Sequence, residues 1–467
     1  MLQDSKPKEL LESLLMFVIQ YILPPVVTIF VMVLFFEIFL LEQYIRLERL
    51  SGFDRAIYTK YQIAKDKQLP FDTRGQWEVV DTYNSSIHDK EKLIYPMFGA
   101  YWLKTEIPGF GPVYNKPEFV PLTGPSLHKI VTDSEGGTYG IHLLDEHGFN
   151  NPTGLYDKPV DIAVVGDSFA EGISVNSGED SVSFIRQLQY PNSLNFGKAG
   201  AGPLSVLATI REYVEIVKPK IVLWYYYEGN DLQDIPTEIN VVNDTSLGNY
   251  LVNYLNPQFT QNLFNRQKEI DKYIEEVFWP RFIFSIDRGP HGPPLTRSFN
   301  TAQEKILQIK NELNKRTFLD KLLLKSSFLY FKRNVKSLRV KLAELINPPE
   351  QFEPSHRDMV YFDMVMRLAK KSIESYGGKL IFVYIPEFYR IEARDAKKYY
   401  NQSNPNNKQK VLSMISDIGL DIIDITPEIL NHKDPLSLYF FRMHGHFNVE
   451  GNEFIAKIIL NKLNNLK

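Results

Sequence analysis

Ser168 stands in Gly166-Asp167-Ser168, directly after the apolar run Ile162 to Val165. Far along the chain, His446 stands in Met443-His-Gly-His-Phe-Asn-Val-Glu-Gly451. Between them lie Gly200, which closes Asn195-Phe-Gly-Lys-Ala-Gly200, and Asn230 in Gly229-Asn230-Asp231. A hydroxyl, an imidazole, a carboxamide and a glycine N–H are the groups that acyl transfer through serine requires. One attacks, one takes its proton, and the others receive the developing oxyanion. Each motif alone has a plainer reading. Gly-Asp-Ser is also a polar turn, Asn230 is also a turn cap, and Gly200 and Gly229 also serve backbone shape. Asp167 and Asp231 read as structural hydrogen-bonders. The case for chemistry rests on whether the chain brings these segments to one place.

The pattern of elements says that it does. Strand Asp161–Val165, a helix near Ser177–Gln189, strand Ser193–Gly197, a helix opened by Gly202-Pro203 and strand Lys220–Tyr227 alternate in order. Ser177 is the expected N-cap of the first helix, with an acid three residues on. Pro203 suits a first helical turn, and Leu207, Ile210, Val214 and Val217 recur at helical spacing. Such alternation predicts a parallel sheet with right-handed crossovers. The pattern resumes with a capping box at Ser355 and Asp358. A buried stripe of Phe362, Val365, Met366, Ala369 and Ile373 follows, then strand Lys379–Pro386, a helix near Gln409–Ile418, strand Leu420–Ile425 and a terminal helix. Open α/β sheets place their sites at the carboxyl ends of the strands. Ser168, Gly200 and Asn230 all follow strands, and His446 lies in the loop before the last helix. Trp224 and Tyr225 to Tyr227 read as strand core rather than a sugar platform.

Around this body the sequence predicts four regions: an N-terminal membrane anchor over 1–42, a charged stalk over 43–91, a small β-rich cap over 92–150, and an α/β domain over 151–467 with a helical insertion at 232–354. Leu14 to Phe36 is apolar over a length that spans a bilayer, with Gln20 the main blemish and Pro24-Pro25 a tolerated kink. No small-residue cleavage site follows it, so an uncleaved single-pass anchor is expected rather than a signal peptide. Lys6 and Lys8 precede the span, whereas Arg46, Arg49, Arg55 and Lys60 follow it, a balance that leans toward a cytoplasmic body. Thr301 to Ile346 holds 11 Lys/Arg against 4 Asp/Glu, which reads as a solvated helical hairpin or as a basic surface for anionic lipid or glycan. His128, His142 and His147 are scattered through the cap and do not form a metal-binding pattern. A net charge of -3 gives no ground for nucleic-acid binding, and the absence of cysteine excludes disulfides and a thiol nucleophile.

The ordered set Gly166-Asp167-Ser168, Gly200, Gly229-Asn230-Asp231 and His446-Phe-Asn-x-x-Gly451 resembles the SGNH/GDSL hydrolase superfamily. More narrowly, with Gly148-Phe-Asn-Asn-Pro152 and Trp224-Tyr-Tyr-Tyr-Glu-Gly-Asn-Asp231, it is similar to membrane-anchored bacterial members associated with surface polysaccharides. The resemblance covers about residues 145–235 and 355–465. It implies a flavodoxin-like three-layer α/β/α sandwich, Ser168 as nucleophile, His446 as base, and an oxyanion hole from the Ser168 and Gly200 N–H groups and the Asn230 side chain. It implies no metal and no organic cofactor. Substrates would be acyl esters, often acetyl, of envelope glycan, with transfer to a glycan as an alternative to hydrolysis. It also places the body outside the cytoplasm, held at the plasma membrane by one span, and that orientation is preferred here over the charge balance.

In one respect the sequence departs from the superfamily, which usually places Asp two or three residues before the catalytic His. Here those positions hold His444 and Met443. A Ser–His dyad held by a backbone carbonyl, a distant acid such as Asp434, or a weakened site are the open possibilities; His444 and His446 as a zinc pair lack an evident third ligand. Two other functions therefore stand beside the esterase or O-acyltransferase. One is a catalytically weakened module that binds glycan or assembles with a polysaccharide system. The other is a lipase-like esterase at the membrane surface.

Overall fold

The computed structural model describes residues 52–87, 94–97, 106–107, 111–112, 119–240, 251–279, 299–314, 353–393 and 405–466, with a few positions between 16 and 28. The expected span, residues 14–36, lies almost wholly outside the described residues. Among the described residues no helix is long and apolar enough to cross a membrane. The chain divides into two compact units, Met1–Thr59 with Phe299–Pro348, and Lys60–Ser298 with Pro349–Lys467. The segment anticipated as one helical insertion over 232–354 is thus shared between them, and the basic stretch beyond 314 lies outside the described residues. In the first unit, Lys305 Nζ pairs with Asp54 at 2.8 Å.

Among its described residues the second unit holds three sheets, one of them only a two-residue antiparallel ladder between Glu106–Ile107 and Gly111–Pro112; the other two matter for the site. The smaller is built from β1 (Ile94–Pro96), β2 (Lys129–Val131) and β3 (Ile141–Leu143), with β2 and β3 antiparallel. The larger holds β4 (Ile162–Val165), β5 (Ser193–Asn195), β6 (Ile221–Tyr227), β7 (Lys379–Ile385) and β8 (Asp421–Asp424), all parallel, in the spatial order β8-β7-β6-β4-β5. The fold class is therefore α/β, as the alternation of elements requires.

Side chains of this sheet alternate between two cores, as a pleat with period two dictates. Ala163, Val165, Val222, Trp224, Tyr226, Leu380, Phe382 and Tyr384 enter one core. Ile162, Val164, Leu223, Tyr225, Tyr227, Ile381, Val383 and Ile385 enter the other. Burial on both faces explains the near-continuous apolar runs. Trp224 and the three tyrosines are buried, as strand core should be.

The helices supply the outer layers. They are α1 (Ser168–Glu171), α2 (Ser181–Leu188), α3 (Pro203–Thr209), α4 (Asp231–Asn240), α5 (His356–Ser375), α6 (Phe388–Ala393), α7 (Pro405–Ile418) and α8 (Val449–Asn465). Helix α5 opens on the capping box of Ser355 and Asp358 and buries its predicted stripe. Helix α2 starts later than the sequence suggested. Its N-cap is Asp180, whose carboxylate accepts from the N–H groups of Val182 and Ser183, two donors where a hydroxyl would serve one. Ser177 is drawn elsewhere: its Oγ accepts from Leu143 N–H and donates to Asn150.

Residues 251–279 pack into the first core through Tyr254, Ile270, Ile274, Phe278 and Trp279. Buried Glu212 holds this segment by accepting from the N–H groups of Gln261 and Leu263 and the Tyr254 hydroxyl. Removing any one of these donors would leave a buried charge short of a partner.

Candidate active site

Ser168 sits where β4 ends. Asp167 caps the one-turn helix that follows, accepting the Phe169 N–H at 2.9 Å, so the backbone rather than the side chain fixes the hydroxyl. Ser168 is 9% exposed, and its Oγ lies 2.8 Å from His446 Nε2. Residues 278 positions apart thus meet within hydrogen-bond reach. Asp167 Oδ2 stands 3.5 Å from the same hydroxyl, too far for a strong bond. Burial pushes the Asp167 carboxyl above its ordinary range.

The acid beside His446 comes from the cap. Glu135 Oε2 accepts the His446 backbone N–H at 2.6 Å, and Oε1 lies 3.2 Å from Nδ1. Oε1 and Nδ1 are close enough for an ion pair but are not aligned as a hydrogen bond. Burial alone would raise the Glu135 carboxyl. The imidazole beside it overrides burial and holds that carboxyl at about 2. Burial would likewise favour a neutral His446 ring, yet Glu135 holds its pKa above the ordinary value. Neither a backbone carbonyl nor Asp434 fills this place. Asp434 pairs with Arg442 in an exposed bidentate contact.

The position of Glu135 follows from the β2–β3 hairpin. It lies in the turn at the hairpin tip, closed by Gly137 N–H to Ser134 O at 2.9 Å. Where β2 runs into that turn, Gln76 donates to the Val131 and Thr132 carbonyls. The loop after α1 zips onto the same hairpin. His142 Nε2 faces two carbonyls, Gly172 O at 3.2 Å and Val175 O at 3.1 Å, so it is the donor. Ser177 N–H donates to Ile141 O at 3.0 Å. The loop after Ser168 is therefore stitched to the strand pair that carries Glu135. His128 and His147 take ordinary places, the first on Ser126 O and the second stacked on Phe264. Among the described residues no metal-binding cluster forms.

Gly445 permits the close approach of Glu135. A Cβ there would lie 2.4 Å from Glu135 Oε2, and its φ of +154° is one that side chains rarely adopt. A Gly445→Ala chain can fold only by moving the carboxylate off His446. The expected result is a fall in kcat/KM of about tenfold to a hundredfold with about 1–2 kcal/mol lost from stability. Steady-state kinetics and a urea melt check both. Unchanged kinetics would mean that Glu135 has no part in the site.

Two further predicted residues are brought to the same edge. The loop of Gly200 lies along the turn that carries Ser168, with Lys198 N–H bonded to Gly166 O at 3.0 Å. Glu171, at the end of α1, accepts from Lys198 Nζ at 2.8 Å and from Ala199 N–H at 2.6 Å. Gly200 itself takes a left-handed φ of +73°. The Asn230 side chain comes near enough to Asp167, the neighbour of Ser168, to oppose the rise that burial imposes on that carboxyl. Asp231 accepts the Tyr227 N–H, and burial, with Asp167 next, raises its carboxyl well above the usual range, so its place is structural. His444, two residues from His446, stacks on Tyr389 at 5.0 Å. No family model matches this chain, and no curated protein matches it.

Proposed function

We propose that this protein is a serine esterase or O-acyltransferase acting on acyl esters of envelope glycan. The observation that carries the proposal is the line Ser168 Oγ, His446 and Glu135, with spacings of 2.8 Å and 3.2 Å. Nucleophile, base and orienting acid in that order are what an activated serine needs. The strand order, with helices covering both faces, supports the flavodoxin-like sandwich expected of an SGNH-type hydrolase.

In this scheme His446 Nε2 takes the Ser168 proton as Oγ attacks the ester carbonyl carbon. The Glu135 carboxylate faces the imidazolium that forms and stabilises it. The Ser168 and Gly200 N–H groups and the Asn230 amide receive the oxyanion. Collapse breaks the bond to the alcohol, which leaves with the proton from Nε2. Water or an acceptor hydroxyl then attacks the acyl-serine, giving up its proton to Nε2, and Ser168 is regenerated. The weakened-module alternative drew its force from a missing acid, and Glu135 supplies a carboxylate. No step calls on a metal or an organic cofactor. The apolar stretch 14–36 would tether the body to the plasma membrane, outside the cytoplasm.

A fluorophosphonate probe tests the nucleophile directly. Labelling of the wild-type chain, mapped to Ser168 by peptide mass, is expected together with turnover of a short-chain ester. No adduct at Ser168 would reject the proposal.

A further inference from the structure

An exposed aromatic pair borders the site. Tyr389, the second residue of α6, is 36% exposed and stacks on His444 with centroids 5.0 Å apart and planes 23° apart. Both lie at the catalytic edge of the sheet. His444 is separated from His446 only by Gly445. Arg390, next to Tyr389, forms a bidentate ion pair with buried Glu228, two residues before Asn230. Glu228 Oε2 also accepts the Glu387 N–H at 3.1 Å. Tyr389 is therefore fixed on one side to the loop of the base and on the other to the loop of the oxyanion amide.

The pair is the exposed end of a continuous aromatic path. Tyr227 stacks on Phe169, and Phe169 contacts both His446 and Phe447. Phe447 contacts Tyr439, Tyr439 contacts Phe388, and Phe388 contacts His444. The chain strains its backbone to present this end. Phe441 and Arg442 are consecutive non-glycine residues with left-handed φ of 52° and 59°. Such conformations cost about 1 kcal/mol or more each and persist where the surroundings impose them. Beyond the strained step, His444 is exposed while His446 faces Ser168.

We infer that the Tyr389–His444 pair is a carbohydrate subsite that stacks on the ring of the sugar whose ester Ser168 attacks. This rests on the esterase proposal for its place in a reaction, but not for its binding. Two flat, neutral-capable rings with polar rims suit a pyranose, which offers apolar C–H faces and equatorial hydroxyls. A hydrocarbon chain would gain nothing from the Tyr389 hydroxyl or the imidazole nitrogens.

The test uses the Ser168→Ala chain, which cannot turn substrate over, titrated with partly acetylated cellotetraose by calorimetry. Adding Tyr389→Ala is expected to weaken binding about tenfold and His444→Ala about threefold, whereas Tyr389→Phe keeps the stacking face and loses less than threefold. In the chain that retains Ser168, Tyr389→Ala lowers kcat/KM for acetylated cellotetraose at least about fivefold more than for ethyl acetate, which has no ring. The inference is overturned if the tetrasaccharide does not bind, if Tyr389→Ala leaves its affinity unchanged, or if both esters lose rate equally. It is also overturned if Tyr389→Ala changes preference between octanoyl and acetyl esters instead, which would mark an acyl-chain site. Failure of fluorophosphonate labelling would sink the esterase proposal alone, since the titration needs no turnover.

Discussion

Ser168→Ala is expected to lower kcat/KM for a short-chain ester by about a thousandfold or more and to abolish fluorophosphonate labelling, while the chain stays folded. The loss is large because, in the proposed mechanism, the hydroxyl is the group that bonds to the acyl carbon. The fold survives because Ser168 Oγ carries no part of the surrounding scaffold. Asp167 caps α1 through its own carboxylate, and Gly172 N–H closes that helix on the Ser168 carbonyl, which alanine retains. A melting temperature within about 2 °C of wild type is expected. Wild-type turnover in the folded variant would remove Ser168 from the chemistry. A large fall in melting temperature would show that the hydroxyl serves structure, which its contacts with His446 and, distantly, Asp167 do not suggest.

The sheet and its edge were legible because they rest on local signals. Strands β4, β6 and β7 are buried on both faces, so their sequences are apolar runs, and each is soon followed by a residue that turns the chain: Gly166, Gly229 and Pro386. Parallel order follows from the intervening helices, and parallel order places Ser168, Gly200 and Asn230 at one rim. The start of α2 was misplaced because Ser177 and Asp180 both have capping side chains; only the tertiary pull of Asn150 and Leu143 on Ser177 separates them. The segment 251–279 looked like an interruption because its composition is polar. Its few large aromatics are nonetheless buried against the sheet, organised by Glu212.

Glu135 is the instructive omission. Asp133-Ser-Glu-Gly-Gly137 has the composition of any polar turn, and the partner of Glu135 lies 311 positions away. What brings it to His446 is the hairpin that carries it and the contact of that hairpin with the loop of His446. Gly136 is part of that contact, since a Cβ there would lie 2.6 Å from the Phe440 ring. No spacing rule reaches across that distance. The one local trace is Gly445, set between two histidines, where the missing side chain leaves room for a carboxylate.

The role of Glu135 has a kinetic signature that a purely structural carboxylate lacks. In the proposed mechanism His446 must be neutral at Nε2 to accept the serine proton, so activity should fall as pH drops through the His446 pKa. Glu135 raises that pKa above its ordinary value of 6.5 against the opposing effect of burial. The acid limb of kcat/KM should therefore have its midpoint above 6.5 in the wild type. Glu135→Gln removes the anion and leaves burial unopposed by it, so the midpoint should move down. The same substitution should lower kcat by about a hundredfold to ten-thousandfold, because the amide neither stabilises the imidazolium nor fixes the tautomer. Glu135→Asp keeps the charge and should recover part of the rate and of the shift. Asp434→Asn is the matched control: it weakens an exposed pair with Arg442, and a change of less than about threefold is expected. A Glu135→Gln chain with wild-type kcat and an unmoved acid limb would return the site to a Ser–His dyad. A loss confined to Asp434→Asn would place the acid on that loop instead.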